Sequence, residues 1–355
     1  MTCGRRVVRV TVVVVGAGIA GLACARELGD AGVPARVLER SDEPGGRLAS
    51  VSLDGRFADI GAAYVTADDP SFQGRLQSWR IEGLARPWTD TFRGQHGPGP
   101  MRWSAPAGLR SLAHSLAAGL DITYGTEVTE LPEAEYVVLA MPGPEALRIA
   151  DLPAARDQSW DPVLTAVLTY PRRSWDDFHG MFVNDHPAVA TICDDGDRRG
   201  DRAPVLVAHS TAQFARDEAS DLTRDETSRL TQGGLTQGGL THGGLTHGGL
   251  TQSGLTRGGR PRVGRGGSRD AMVTAVNGVL GIEEAPETAY RLWPYAQPRP
   301  LPGDFARSGN VYLCGDVFGR PRVQTAWLSG RAVAEDILRV RSGRPPSSPR
   351  RSATS

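Results

Sequence analysis

Val10 to Leu28 reads VTVVVVGAGIAGLACAREL, and this stretch decides the fold. Val10 to Val15 is an almost unbroken β-branched run, the composition of a parallel strand buried on both faces. It runs into Gly16-Ala17-Gly18-Ile19-Ala20-Gly21 and then into an alanine- and leucine-rich helix that lasts to about Gly29. A second strand follows at Ala35 to Leu38. Strand, helix and strand within about thirty residues make the unit of a doubly wound sheet.

Each glycine of the turn has a task. Gly16 permits the tight exit from the strand, Gly18 lets a diphosphate approach the backbone, and Gly21 lets the helix pack close to the strand. The helix start around Ala20 offers free N–H groups and the positive end of its dipole to phosphate. Glu39, followed by Arg40, ends the second strand about twenty residues on, where a carboxylate accepts hydrogen bonds from ribose hydroxyls. A glycine-rich turn alone would not account for Glu39. Two features favour FAD over NAD. Gly45-Gly46-Arg47 brings backbone near a ligand and supplies an arginine for the second phosphate. Gly315-Asp316 ends a late strand, where an acid can hold ribityl hydroxyls. The expected fold class is α/β: a Rossmann-type FAD-binding domain with an interleaved α+β substrate domain.

The chain has 355 residues, 39% of them hydrophobic, and a formal net charge of zero. That length buries a sizeable core, and the charge balance argues for no nucleic-acid partner. Every basic side chain is an arginine, which excludes lysine Schiff bases and P-loop lysines. Cys3, Cys24, Cys193 and Cys314 are scattered, with neither CxxC nor Cys/His clustering, so no metal site and no disulfide framework is expected. A reducing, cytoplasmic setting fits. The apolar run Val7 to Val15 is too short to span a membrane and leads into the glycine turn, so no membrane partner is expected.

Strands are expected at Asp121 to Thr126, Tyr136 to Ala140 and Val311 to Cys314 in the cofactor domain, and at Val163 to Thr169 and Val205 to His209 in the substrate domain. Helices are expected at Gly108 to Ala117 and from about Thr325 to Val340. The cofactor domain is read as residues 8–70, 105–150 and 288–340, and the substrate domain as 71–104 and 151–287. Within the latter, about 228–269, lies a period-five repeat (LTQGG, LTHGG and variants). Its glycine pairs suit neither helix nor strand, so it reads as a flexible insertion. His242 and His247 in it read as incidental rather than as metal ligands. The Pro-, Ser- and Arg-rich tail 341–355 reads as disordered.

These motifs resemble the flavin-containing amine oxidase superfamily and, within it, the renalases. The matched segments are VVVVGAGIAGLACAREL with Glu39 and Gly45-Gly46-Arg47; Ala58 to Thr66; Ala105 to Leu109 with Glu127-Val128 and Val137 to Pro142; Val205 to Ser210; and Arg291 to Ala296 with Tyr312 to Asp316 and Leu328 to Gly330. The resemblance implies FAD, and because Cys314 falls inside a buried strand and nothing marks a covalent link, the FAD is expected to be non-covalent. Ala20, Gly46 and Arg47 would contact its phosphates and Glu39 the adenosine ribose, and the backbone of Val128 would meet the adenine. Gly61, Ala62, Ala63 and Tyr64 would lie against the flavin, and Asp316 would meet the ribitol and pyrophosphate. Ala326 and Leu328, in the closing helix, count among the cofactor contacts. Where the family commonly has a glutamine, this chain has Ala63.

The resemblance further implies a donor: a 2- or 6-dihydro isomer of NAD(P)H, oxidised to NAD(P)+ by hydride transfer to flavin N5, with O2 as acceptor. Tyr64, Trp293 and Tyr295 are candidate walls of the substrate pocket, since aromatic rings suit a planar donor. Arg320 and Arg322 read as surface arginines before they read as phosphate ligands. His209, ending a buried strand, reads as structural rather than as a base. The alternatives are amine oxidation within the same superfamily, a desaturase or protoporphyrinogen-type oxidase, and a flavin-binding protein without turnover.

Overall fold

A computed structural model describes residues 11–53, 55–219 and 267–343. The repeat, apart from its last few residues, and the tail beyond 343 lie outside the described residues, as does Cys3. Strand β1 (Val12–Val15) sits inside a six-stranded sheet, flanked by β2 (Ala35–Leu38) and β8 (Tyr136–Leu139), both parallel to it. β7 (Asp121–Thr123) extends the sheet beyond β2, and β15 (Val311–Leu313) extends it beyond β8, again in parallel. β14 (Ala306–Ser308) closes that edge antiparallel.

The β-branched run explains why β1 is central. Its side chains alternate between two layers: Val12 and Val14 enter one core and Val13 and Val15 the other, and all four are buried. The first core is covered by helices α1 (Ile19–Asp30), α3 (Arg110–Ala117) and α9 (Val323–Arg341). α1 and α9 cross closely because Gly330 has no side chain: a Cβ there would lie 1.9 Å from the Ala20 carbonyl oxygen.

The second sheet is antiparallel, in the order β10-β11-β12-β9-β13. Its strands are β9 (Trp160–Thr169), β10 (Gly180–Phe182), β11 (Val189–Asp194), β12 (Val205–Ser210) and β13 (Glu287–Pro298). One face (Leu164, Ala166, Leu206, Ala208) packs on Met272 and Val276 of helix α8 (Gly267–Leu280). The opposite face, through Val167, Val205 and Val207, meets Ala58 and Ile60 at the hairpin β3 (Ser50–Leu53) and β4 (Arg56–Asp59). That contact sets the second sheet against the cofactor half.

Two expected boundaries move. Residues 71–104 were expected in the substrate domain, yet helix α2 (Pro70–Ile81) sends Phe72, Leu76 and Trp79 into the first core. Its tryptophan and polar residues disguised three core positions that share one face. The return to the cofactor half was expected at 288, but β13 is an edge of the second sheet, pairing with β9 over Glu287 to Trp293. Its register then shifts between Trp293 and Gln297.

Candidate functional site

The turn after β1 is built from glycines that each do something measurable. Gly16 has φ +105° and sits so close to Ala140 that a Cβ would lie 2.7 Å from its carbonyl oxygen. At Gly21 a Cβ would lie 2.0 Å from the Gly16 carbonyl oxygen. Gly18 differs: its backbone is extended, and a Cβ there would meet no atom within 4 Å. The close packing of Gly16 and Gly21 is internal, whereas the bareness of Gly18 serves the space above it. Gly18 is also the N-cap of α1, with no capping side chain and no acid in the first turn. The leading N–H groups of the helix are thus left to a ligand.

A second glycine pair meets the first. Gly45 bridges to Gly18, its N–H donating to the Ala17 carbonyl at 2.9 Å, and Gly46, at the start of a single 3-10 turn (Gly46–Leu48), comes close to the Gly18 Cα. Glu39 is buried beside them. It accepts from the Ala17 N–H at 2.6 Å and from the Ser41 N–H at 2.9 Å. Val128 packs its side chain into the core below the sheet, and the neighbouring Thr126 N–H donates to the Glu39 carbonyl. Arginines surround this cradle. Arg40 pairs with Glu145 at 3.0 Å, and Arg110 packs against Gly45 and pairs with Glu43. Burial, and then the charge of Arg40, lowers Arg291; burial lowers Arg110, Asp42 opposes, and Arg291 adds to the shift. Mutually opposed guanidiniums around exposed N–H groups suit a diphosphate.

Arg47 leaves the cradle for the late strand. It pairs bidentately with Asp316, at 2.8 Å through Nη1, donates to the Ala296 carbonyl at 3.0 Å, and lies 5.1 Å from the Trp160 ring centroid. Gly315, at φ +156°, donates its N–H to Ser329 of α9. Ala326 and Leu328 lie half-buried near the start of that helix. Its first turn is anchored elsewhere: Gln324 accepts from the Asp68 and Asp69 N–H groups, and Arg322 pairs bidentately with Asp68. Arg320 is exposed.

Ile60 to Tyr64 runs between the two sheets. Gly61 presses on the Arg47 carbonyl, Ala62 donates to it at 2.8 Å, and the Ala63 carbonyl accepts from Arg198 at 2.7 Å. Trp293 donates through Nε1 to the Ile60 carbonyl at 2.7 Å. The three aromatic candidates do not form one wall. Trp293 braces the segment at Ile60, and Tyr64 stands at its other end against Phe92 and Arg102. Tyr295 belongs with Trp160, beside Arg47. Opposite Gly61, the second sheet presents Thr165 and His209, cross-strand partners on the face that carries Val167 and Val207. Burial, then the charge of Arg198, pushes His209 down to about 4, against a loose contact with the Gly61 backbone that raises it. Its Nδ1 lies 3.2 Å from the Thr191 hydroxyl and its enclosed Nε2 has no partner in hydrogen-bond geometry. His209 is therefore a neutral imidazole at the contact between the sheets, and a weak base.

Sequence reasoning missed Arg198 and Arg102. Arg198 belongs to the run Asp194 to Arg199, which reads as a solvated charge cluster, yet in the short helix α6 (Asp195–Arg199) it is fully buried against Asp195. No local signal separates the two cases, because the enclosure comes from Ala63 and Asp59 far away in sequence.

Residues 19–82, from the start of α1 to the end of α2, match the family model of flavin containing amine oxidoreductases. Putrescine oxidase from Kocuria rosea is 51% identical over 75 residues, which is 21% of this chain and 16% of that protein. The chain thus matches about one sixth of this relative's length. A structure provisionally described as a protoporphyrinogen oxidase from Exiguobacterium sp. 255-15 aligns over 92% of this chain and 98% of its own, with TM-score 0.64 and 12% identity. A cofactor-binding triple mutant of putrescine oxidase aligns over 93% and 99%, with TM-score 0.61 and 15% identity. At these identities the likeness to the solved structures is one of fold. The likeness to flavin containing amine oxidoreductases is thus carried by residues 19–82, which hold the glycine cradle, while the two-sheet α/β architecture is shared with the solved structures over nearly the whole chain.

Proposed function

We propose that this chain is an FAD-dependent oxidoreductase that oxidises small amine donors. The observation that carries the reading is the cradle: the open space over Gly18 at the uncapped start of α1, ringed by arginines and backed by Glu39. The residues fit FAD. Gly16, Gly18, Ala20, Gly21 and Gly46 would receive the diphosphate, while Arg47, turned out of the cradle, would hold Asp316 in place beside it. Glu39, Arg40 and the backbone at Val128 would take the adenosine end. Gly315 and Asp316 would meet the ribityl chain. Gly61, Ala62, Ala63 and Tyr64 would line the ring, with Ala326 and Leu328 beside it. Cys314 is buried in the sheet and burial pushes its thiol up to about 12, so it offers no thiolate for a covalent link and FAD would be held non-covalently.

FAD, when bound, supplies the acceptor for a hydride leaving the carbon next to the donor nitrogen, with O2 the final oxidant. The chain's part is to bind, orient and exclude water. The donor would sit beside the Ile60 to Tyr64 segment, which the Thr165–His209 face backs and Trp293 holds in place. His209, held neutral, adds no charge there that would repel an ammonium donor. The likeness to putrescine oxidase within residues 19–82 supports an amine as donor.

A second reading, the dihydro-NAD(P) isomers, rests on the renalase-like segments and on the absence of lysine from the chain, because that oxidation needs no amine-holding base. Anaerobic stopped-flow mixing of the FAD-loaded protein with amines, ordinary NADH, and 2- and 6-dihydro-NAD separates the two. Bleaching of the flavin absorbance by amines is expected. Bleaching by the isomers alone would overturn the amine reading in favour of the second, and a protein that retains no FAD would overturn both.

A further inference from the structure

Arg102 opens strand β6 (Arg102–Ser104), which pairs with β5 (Arg86–Thr89), and it is 5% exposed. Its guanidinium carbon lies 4.2 Å from the ring centroid of Phe92, 5.1 Å from that of Tyr64 and 5.8 Å from that of Phe182. One nitrogen, Nη2, donates to the Gln95 side chain at 2.9 Å; Nε and Nη1 are enclosed and have no partner. No carboxylate of the described residues pairs with it. Of the acids on the adjoining elements, Asp194 is engaged by Arg173 and Trp175, Asp195 by Arg56, Arg198 and Arg199, Asp197 by Trp88 and His179, and Asp90, just past β5, accepts from the Thr91 hydroxyl.

Arginine is protonated under all ordinary conditions. A buried guanidinium that lacks an anion and leaves donors unmade is costly, and ring faces offset only part of the cost. The other deeply buried arginines among the described residues tell the contrast: Arg198 and Arg199, also at the contact between the sheets, each have a carboxylate. Arg102 touches Tyr64, the end of the segment assigned above to the flavin ring. Two of the three rings around it, Tyr64 and Phe182, are only half-buried, whereas Phe92 is fully enclosed. Tyr64 and Phe182 can swing on side-chain torsions without any backbone change.

We propose that Arg102 is the anion-recognition residue of the donor site, and that the donor is an amine that also carries a carboxylate, with an apolar or aromatic body to lie among the rings, rather than a simple mono- or diamine. Nη2 carries two N–H groups and Gln95 takes one of them; the other, together with the unpartnered nitrogen beside it (Nε or Nη1), makes a planar fork that matches a carboxylate bidentately. The inference rests on the reading that the neighbouring segment faces FAD.

The test uses the FAD-loaded full chain and two probes of one shape: benzoate, which carries the carboxylate, and benzamide, which is neutral. Binding is followed by the flavin difference spectrum and by calorimetry. Arg102→Met keeps the length and apolar stem but removes charge and donors; Arg102→Lys keeps the charge and loses the fork. Benzoate is expected to bind wild type about tenfold or more tighter than benzamide, to weaken about tenfold or more in Arg102→Met and to recover partly in Arg102→Lys, while benzamide stays level. With donors, an amino acid should be preferred over its decarboxylated amine, and Arg102→Met should abolish that preference through KM rather than kcat. Equal binding of benzoate and benzamide by wild type overturns the proposal, as does benzoate binding unchanged in Arg102→Met. Should Arg102→Met fail to fold, the wild-type comparison and Arg102→Lys still decide. FAD retention, read from the absorbance before any probe is added, reports separately on the underlying reading, and calorimetry with benzoate tests Arg102 even where FAD is absent.

Discussion

At the scale of single residues, three glycines of one turn divide the work between folding and binding, and substitution separates them. Alanine at Gly21 would press on the Gly16 carbonyl from 2.0 Å, with the side chains of Ala140 and Val14 already at 3.1 Å. Gly21→Ala is expected to destabilise the protein by about 1–3 kcal/mol, as overpacking does. Gly18→Ala meets no neighbour and no strained φ, so its urea midpoint should stay within about 0.5 kcal/mol of wild type while FAD affinity falls at least tenfold. Equilibrium unfolding beside FAD titration of both variants checks this; an unchanged FAD affinity in Gly18→Ala would remove the diphosphate from its place above α1. The glycines, Glu39 and the Gly-Gly-Arg turn were legible in the sequence because their physics is local: a turn, a helix end and the strand after it. Arg102 and Arg198 were not legible, since what makes an arginine unusual is the set of distant residues that enclose it, and a one-dimensional reading assigns it to solvent.

At the scale of elements, the five-residue helix α6 holds the Ile60 to Tyr64 segment from the side of the second sheet. Burial alone would raise the Asp195 carboxyl, but Arg198, Arg199 and Arg56 outweigh it and keep the group below the ordinary carboxylate range. The pair then extends Arg198 to the Ala63 carbonyl at 2.7 Å. Arg198→Met should cost about 3–5 kcal/mol, as breaking a buried pair does, measured by urea unfolding. It should also shift the flavin absorbance bands of the loaded protein, because Ala63 is released. A stability loss with an unmoved spectrum would show that α6 supports the fold without positioning the segment. Periodicity revealed β1, β2, β8, β9, β12 and β15 because each is an apolar run. It gave no strand at β13, because a strand that serves two neighbours carries a mixed pattern (ETAYRLWPYAQP) with no single period.

At the scale of the molecule, the contact between the two sheets carries a pH dependence. His209 sits at that contact at about 4, well below the ordinary histidine value of about 6.5, so the unfolded chain takes up a proton that the folded one refuses. Stability from this residue is intact above about pH 6.5 and falls as the pH drops towards 4, by up to about 3 kcal/mol. His209→Gln should flatten the decline of the urea midpoint between pH 7 and 4.5, and parallel declines in variant and wild type would acquit His209. No helix among the described residues is long and apolar enough to cross a membrane. The α/β class and both sheets were foreseeable from the alternation of strand and helix signals, but the seam between the sheets was not, since it depends on which face of β9 and β12 meets Ala58 and Ile60.

Strand β13 gives this architecture a consequence for anyone who would recombine it. From Glu287 to Trp293 it is stitched to β9, and the Trp293 ring already reaches Ile60; in the irregular stretch before Gln297 its Ala296 carbonyl serves Arg47 and its Tyr295 ring lies beside Trp160. The two halves are therefore not interchangeable cassettes. A chimera that imports a foreign substrate sheet with its own β13 imports part of the cofactor wall as well, while one spliced between Trp293 and Gln297 must rebuild the irregularity that lets a single strand face both ways.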